Sequence, residues 1–461
     1  MKLIVQGKLI IVGGDTKSLD DLHTKEFQKF SNEQVDKFKN STFYVNELFI
    51  YFIQNSLALQ YFIREQKINE IELKKPNSNL YFLVLDAAKK SGVQVRENFR
   101  SYKLKRRSLF YFELVSSFIY LIFLMIKIPK SGELKESKEL TIVRTESFKS
   151  KLGKIGYDYL YENPFTKNSV YSFFNRSSRL VWVLKSFIKS CQQYAKLLDL
   201  MNGYVGVNAM YLVQEFYGKR LVHTNLYFYL LKNIIARNKP VVLNTGNNLD
   251  RYAFVEEYLA KENNIKLVCI PHGLEYGFKL PKCFTGDIFY ATSENAVKYL
   301  NKMYNTDKFV FNKSVIKSIF SKEFKLCQTV SGKKIVYFSE PREPWVNHEI
   351  ISALIPLLSK NNLNLTLKLH PKDKRSDYLM YNIEILDNIE NAIVNSICIS
   401  RKSTILLEAI YNNSAACAIL LNRKDETLFY SFPSLQDAKI NVTNSIEGLY
   451  NWINKHYQKT T

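Results

Sequence analysis

Apolar and polar positions along this chain fall into short runs of two periods. Leu363, Leu365, Leu367 and Leu369 alternate with polar residues, the period of a strand with one buried face, and the run ends in His370-Pro371. Earlier, strand patterns at 9–12, 68–73 and 93–96 enclose helical patterns over 45–65 and 80–90. Strand patterns resume near Leu140, at 241–243, 266–270 and 288–291, with helical patterns at 180–200, 226–235, 251–259 and 296–304. Residues 320–332 are polar and irregular, as expected of a linker. Beyond them come strands at 333–339, 363–369, 397–399 and 415–421, helices at 350–358 and 403–410, and a closing helix at 446–456.

Alternating strands and helices predict an α/β fold of mostly parallel sheets. The expected arrangement is two Rossmann-like doubly wound domains facing a cleft: residues 1–328, residues 329–445, and a closing helix over 446–461.

One stretch breaks the rhythm. Arg100, Lys103, Lys105, Arg106 and Arg107 lead into eighteen residues from Leu109 to Ile126 whose only charge is Glu113. A membrane-spanning helix needs about 20 such residues. Two features count against a span. Glu113, Ser116, Ser117, Tyr120 and Lys127 share one helical stripe, and a span would split what reads as one sheet across a bilayer. An in-plane helix with its basic lead-in on anionic headgroups fits both features, and a buried core helix is the plainer reading.

Composition adds compartment and partner. With 46% hydrophobic residues, 16 Gly and 11 Pro, the chain is that of a folded protein rich in Tyr (30) and Phe (31). Six cysteines without paired spacing are expected to be buried thiols in a reducing compartment, and no secretory signal is visible. The net charge of +22, from 65 basic and 43 acidic residues, calls for an anionic partner: nucleic acid, anionic lipid or a phosphate-bearing substrate.

Candidate chemistry gathers where strands end. His370 stands at a strand's carboxyl end, where open α/β sheets bind ligands, with Lys368 two residues before it. Ser400, Ser403 and Thr404 form a hydroxyl-rich turn into a helix, with Glu408 one turn on; such a turn is either an anion site or an ordinary cap. Ser339 and Arg342 sit in a proline-fixed loop after another strand, able to meet a base or ribose or simply to be rigid. His272 and Glu275, in Pro271-His-Gly-Leu-Glu275, offer a proton carrier and its orienting carboxylate. Gly13-Gly14-Asp15 and Asn244-Thr245 follow strands and either line the cleft or are turns.

The order of an HG loop, then Lys368-Leu-His370-Pro371, then Ser400, Ser403 and Thr404 followed by Glu408-Ala409, resembles bacterial glycosyltransferases of the GT-B fold that build capsules and lipopolysaccharide. The similarity is to the sialyltransferase, polysialyltransferase and Kdo-transferase types, over about residues 240–420. It implies a CMP-activated acidic sugar as donor substrate, with His370, Ser400, Ser403 and Thr404 at the CMP phosphate. It also implies a glycan or glycolipid acceptor and a place on the cytoplasmic face of the membrane. The sequence lacks the acidic motif that supplies the base in sialyltransferases. An HG histidine with a later HP also resembles teichoic-acid glycerophosphotransferases, which makes His272 the preferred base and a CDP-alditol phosphotransferase the alternative. No clustered DxD or His/Cys set calls for a metal or further cofactor. A basic nucleic-acid-binding protein is the alternative outside enzymes; no recognition module supports it, and a nucleic-acid partner is not expected.

Overall fold

The structure is a computed structural model that describes residues 1–38, 43–97, 101–127, 138–143, 159–161, 169–173, 179–214, 216–270, 273–320 and 334–458. The expected linker at 320–332 falls almost wholly outside these residues, as does Cys327. The fold is α/β and its strands form three sheets.

The first sheet is mixed. Strands β1 (Lys2–Gly7), β2 (Leu9–Val12), β3 (Asp15–Ser18), β4 (Glu70–Pro76) and β5 (Gln94–Arg96) take the order β3-β2-β1-β4-β5. β1, β4 and β5 are parallel, with helix α1 (Ser78–Ser91) between β4 and β5, while β1, β2 and β3 run antiparallel. Gly13 and Gly14 both hold positive φ (58° and 92°) at the tip of the β2–β3 hairpin. Two consecutive left-handed residues make a tight hairpin turn. Gly13, Gly14 and Asp15 therefore do not form a strand-to-helix ligand loop; the residues on both sides of the turn pair with one another, Val12 with Asp15.

The second sheet comprises β6 (Glu139–Val143), β7 (Tyr159–Tyr161), β8 (Val242–Thr245), β9 (Lys266–Cys269), β10 (Ile288–Tyr290) and the two-residue β11 (Phe309–Val310), in the order β7-β6-β8-β9-β10-β11, with every pair from β7 to β10 parallel. The strands before and after the long apolar helix α2 (Ser101–Lys127) thus lie in two separate sheets, against the expectation of one. Both sheets share one core, from Leu3 and Ile71 to Ile142 and Leu267. They are also tied directly: Asn46 donates to the carbonyls of Leu249 and Lys282, and Glu47 pairs with Arg220 (2.6 Å) and Arg251 (2.8 Å). These contacts join the segments on either side of α2, a helix long and apolar enough by length and composition alone to cross a membrane.

The third sheet comprises β12 (Lys334–Phe338), β13 (Leu365–Lys368), β14 (Ser396–Ser400), β15 (Ala415–Ile419) and β16 (Ile440–Thr443). All five are parallel, in the order β13-β12-β14-β15-β16. Numbered from its own first strand, this order is 2-1-3-4-5, the flavodoxin-like doubly wound arrangement, and the second sheet repeats it with β11 added at one edge. The Leu-Thr-Leu alternation of β13 does not mark a wet face. Thr366 is buried along with Leu365 and Leu367, and residues 384–386 bond to Leu367 and cover the sheet edge.

The chain divides into two compact units. One holds the first sheet and the second sheet as far as Phe289; the other holds the described residues of 290–461 together with 273–277. The division thus falls earlier than residue 328, because the Thr292 and Ser293 hydroxyls bond to Ser434 (2.6 and 3.0 Å) and Tyr411 donates to the Thr292 carbonyl. The closing helix (Ile446–Gln458) belongs to this second unit, burying Leu449 and Ile453 in its core. No disulfide joins the described cysteines; Cys269, Cys398 and Cys417 are buried as expected, and Cys191 is exposed.

Candidate functional site

In a doubly wound sheet the helices leave opposite faces from one central point, and the crevice outside the strands' carboxyl ends there is where ligands bind. In the third sheet that point lies between β12 and β14. Ser339 and Glu340 follow β12, His370 follows β13 by one residue, and Ser400 ends β14.

The Ser339-Glu340 dipeptide holds the other two stretches in place. Ser339 Oγ accepts the His370 backbone N–H (2.9 Å) and donates to Asp373 (2.6 Å). Glu340 Oε1 accepts the Lys402 backbone N–H (2.7 Å) and a bond from Ser400 Oγ (3.4 Å). Buried Asn347 fixes Glu340 in turn, donating to its carbonyl (2.7 Å), with Tyr337 and Tyr378 bonded to the Asn347 side chain. His370 and the 400–404 turn therefore flank one clamped loop.

His370 is half-buried, and its Nδ1 accepts the Lys372 N–H at 3.1 Å. A neutral imidazole has one donor and one acceptor nitrogen, so this bond puts the proton on Nε2. The ring is thereby set as a donor, which suits a phosphate oxygen and does not suit proton removal. Lys368 sends its ammonium to the Asp387 carbonyl (3.0 Å). Arg342 is exposed beside this edge, its carbonyl accepting from Arg401.

The hydroxyl turn divides. Ser403 and Thr404 are half-buried, and the Thr404 side chain makes no cap bond to the seven-residue helix Ile405–Tyr411. Ser403 Oγ accepts only a long bond from the Ile405 N–H (3.4 Å). Ser400 is fully buried and donates to the Phe338 carbonyl (3.1 Å), so it braces β14 against β12 and is not placed to bind phosphate. Glu408 is half-buried, with its carbonyl accepting from Asn412 (2.8 Å).

The cations beside the turn are committed to the fold. Arg401, fully buried, binds Asp425 through two nitrogens (2.6 and 2.8 Å) and reaches Glu343 (3.1 Å). Lys402 pairs with Asp425 and, at 3.5 Å, Glu340. Burial opposes charge on Asp425, yet the bonds from Arg401 and Lys402 hold its pKa below the usual carboxylate value. Arg401 also grips the carbonyls of Arg342 and Glu343. Glu343 has φ +54°, a left-handed conformation that costs a non-glycine residue of order 1–3 kcal/mol and persists only where the surroundings enforce it. Asn347, Asp373, Glu343 and Asp425 thus organise this edge without having stood out in the sequence. Asp373, three residues after His370, had a local signal, whereas Asp425 had none.

The remaining candidates are placed elsewhere or outside the described residues. His272 is among the latter. Glu275 is fully buried, accepting from Thr292 N (2.7 Å), Thr292 Oγ1 (2.9 Å) and Ser434 Oγ (3.1 Å). Burial raises its pKa, only partly offset by these bonds, and the enclosed carboxyl ties its loop to the second unit in place of serving as base. Asn244 and Thr245 are buried too: Asn244 bonds to Thr141, and Thr245 to Glu256. They close the end of β8.

No protein-family model matches the chain, and no curated protein matches it. Among solved structures it is similar to the UDP-GlcNAc 2-epimerase of Methanocaldococcus jannaschii, with 11% identity, 68% of this chain and 92% of that one covered, and a TM-score of 0.38. The UDP-GlcNAc 2-epimerase of Neisseria meningitidis gives 13%, 70%, 99% and 0.34, and an E. coli heptosyltransferase 9%, 70%, 99% and 0.33. At such TM-scores these likenesses carry no argument; the parallel sheets and their strand order rest on the structure itself.

Proposed function

We propose that this chain is a GT-B glycosyltransferase that moves a sugar from a nucleotide donor, specifically a nonulosonic acid from CMP, onto a bacterial surface glycan or glycolipid. The observation that supports this most is the Ser339-Glu340 clamp. It presents an imidazole locked as an Nε2–H donor and two hydroxyls at the switch point of a doubly wound sheet. The acceptor hydroxyl oxygen attacks the sugar's anomeric carbon and the bond from that carbon to the CMP phosphate breaks. The proton passes to His272, and the charge left on CMP is stabilised by His370, Ser403 and Thr404. With Glu275 enclosed, His272 is left as the base.

The acceptor reading brings the membrane with it. Lys103, Lys105 and Arg107 are exposed at the start of α2, ready for anionic headgroups on the inner face of the plasma membrane. Arg106 is instead buried, donating to Ser78 (2.9 Å) and Asn79 at the start of α1, and Arg100 is outside the described residues.

Incubating purified protein and glycan acceptor with CMP-sugars, UDP-sugars and CDP-glycerol tests the proposal. CMP release from a CMP-nonulosonic acid is expected. Turnover of CDP-glycerol alone would replace glycosyl transfer with phosphotransfer, and turnover of UDP-sugars alone would correct the donor.

A further inference from the structure

Helix α2 has its amphipathic faces reversed. Its polar stripe is the buried one: Arg106, Glu113 and Ser117 face the protein beside Leu121 and Leu124. Its outer face is apolar, with Tyr111, Phe112, Val115, Ile119, Ile122 and Ile126 between 38% and 73% exposed. A soluble surface helix has the opposite pattern.

A second helix repeats the anomaly over part of its length. Helix α3 (Arg179–Tyr204) exposes Leu180, Val181, Leu184 and Ile188 in its first three turns. From Cys191 onward its outer positions turn polar, with Gln192, Lys196 and Asp199 exposed.

The two apolar stretches lie at the same end. Both helices pack on α4 (His223–Asn238) and the π-helical turn before it, Tyr217–Val222. Along α2, Phe110 meets Tyr217 (5.6 Å) and Tyr120 stacks on His223 (4.6 Å). Along α3 the order reverses: Tyr194 meets Tyr217 (5.7 Å), Ser190 meets Asn225 (2.8 Å) and Trp182 meets Tyr229 (5.2 Å). The helices are therefore antiparallel, which brings the start of α3 beside the second half of α2. The apolar face of α3 thus lies beside the second half of α2, and the exposed Tyr111 and Phe112 of α2 carry the apolar surface further.

We propose that α2 and the first three turns of α3 form one face that lies flat in the headgroup boundary of an anionic membrane. The inference rests on the membrane reading above and adds α3 to it. Charge selects lipid as the occupant. The exposed charges among the described residues of α2 are Lys103, Lys105 and Arg107, and Lys185 is the exposed charge in the first three turns of α3. A second copy of this chain would meet that rim with the same sign, whereas anionic headgroups complement it.

Flotation of the full chain with phosphatidylglycerol vesicles, with phosphatidylcholine as control, tests this. Two double variants are compared, Val115→Glu/Ile119→Glu on α2 and Leu184→Glu/Ile188→Glu on α3, each checked for an unchanged unfolding midpoint. The parent is expected to float with the anionic vesicles, and each variant to lose about tenfold or more in binding. Loss in the α2 variant with parental flotation of the α3 variant would overturn the role of α3 and leave the membrane reading standing. Parental flotation of both would overturn both. A parent that does not float but sediments as a dimer, made monomeric by the α3 variant, would assign the face to a second copy instead.

Discussion

The second and third sheets share the strand order 2-1-3-4-5, to which the second adds an edge strand, yet their carboxyl edges are built to different ends. At the end of β8, Tyr227 OH (2.7 Å), Asn247 Nδ2 (2.9 Å) and Thr245 Oγ1 all donate to the fully buried Glu256. These polar groups turn inward onto that one carboxylate. At the ends of β12 and β14 the charged groups are likewise paired below the surface, but His370, Ser403, Thr404 and Arg342 remain half-buried or exposed above them. Strand order makes an edge; the loops decide whether that edge is filled or left to receive a ligand.

Removing the foundation of the open edge should have the largest effect. Asp425→Ala removes the bidentate partner of buried Arg401, leaving it the ion pair with Glu343, and is expected to cost about 3–5 kcal/mol in urea unfolding at pH 7, with Arg401→Met/Asp425→Leu recovering most of it. Because the folded pKa of Asp425 lies below its ordinary 3.8, its contribution is present above about pH 3.8 and fades as pH falls through the folded value. The gap between parent and Asp425→Ala should narrow in that acid range; a gap constant with pH would refute the charge pairing.

Next in size, His370→Ala should weaken CMP binding in calorimetry by about 1.5–3 kcal/mol, the worth of a hydrogen bond to a charged group, with the unfolding midpoint unchanged. Parental affinity would show that this edge is as closed as the other. Smallest, Thr245→Val should destabilise by about 1–2 kcal/mol by depriving Glu256 of a donor, and leave CMP affinity as it was. A loss of CMP affinity there would mean that the β8 edge also takes part in binding.

The α/β class and most elements were legible because they are written in local periodicity. The pattern at 251–259 became helix Arg251–Glu262, and that at 397–399 became β14. His370 was legible for a similar reason, since a proline stopping a strand marks its end. The sheet partition was not: β4 and β6 have strand patterns alike, and only long-range pairing shows that they lie in different sheets. Nor was the sorting of Ser400 from Ser403, two serines three residues apart of which one is buried under Phe338 and the other faces outward.

The sequence by itself determined which segments are strands and helices, where the imidazole and hydroxyls stand along the chain, and that one helix is amphipathic. Which side of that helix turns outward was decided by tertiary packing. Its polar stripe found partners such as Ser78 and Asn79 inside the protein, leaving the apolar side exposed. The same holds for Arg401, whose place beside the hydroxyl turn is local but whose charge partner is not. Asp425, 24 residues away, neutralises it, and a charge partner at that distance leaves no periodic trace.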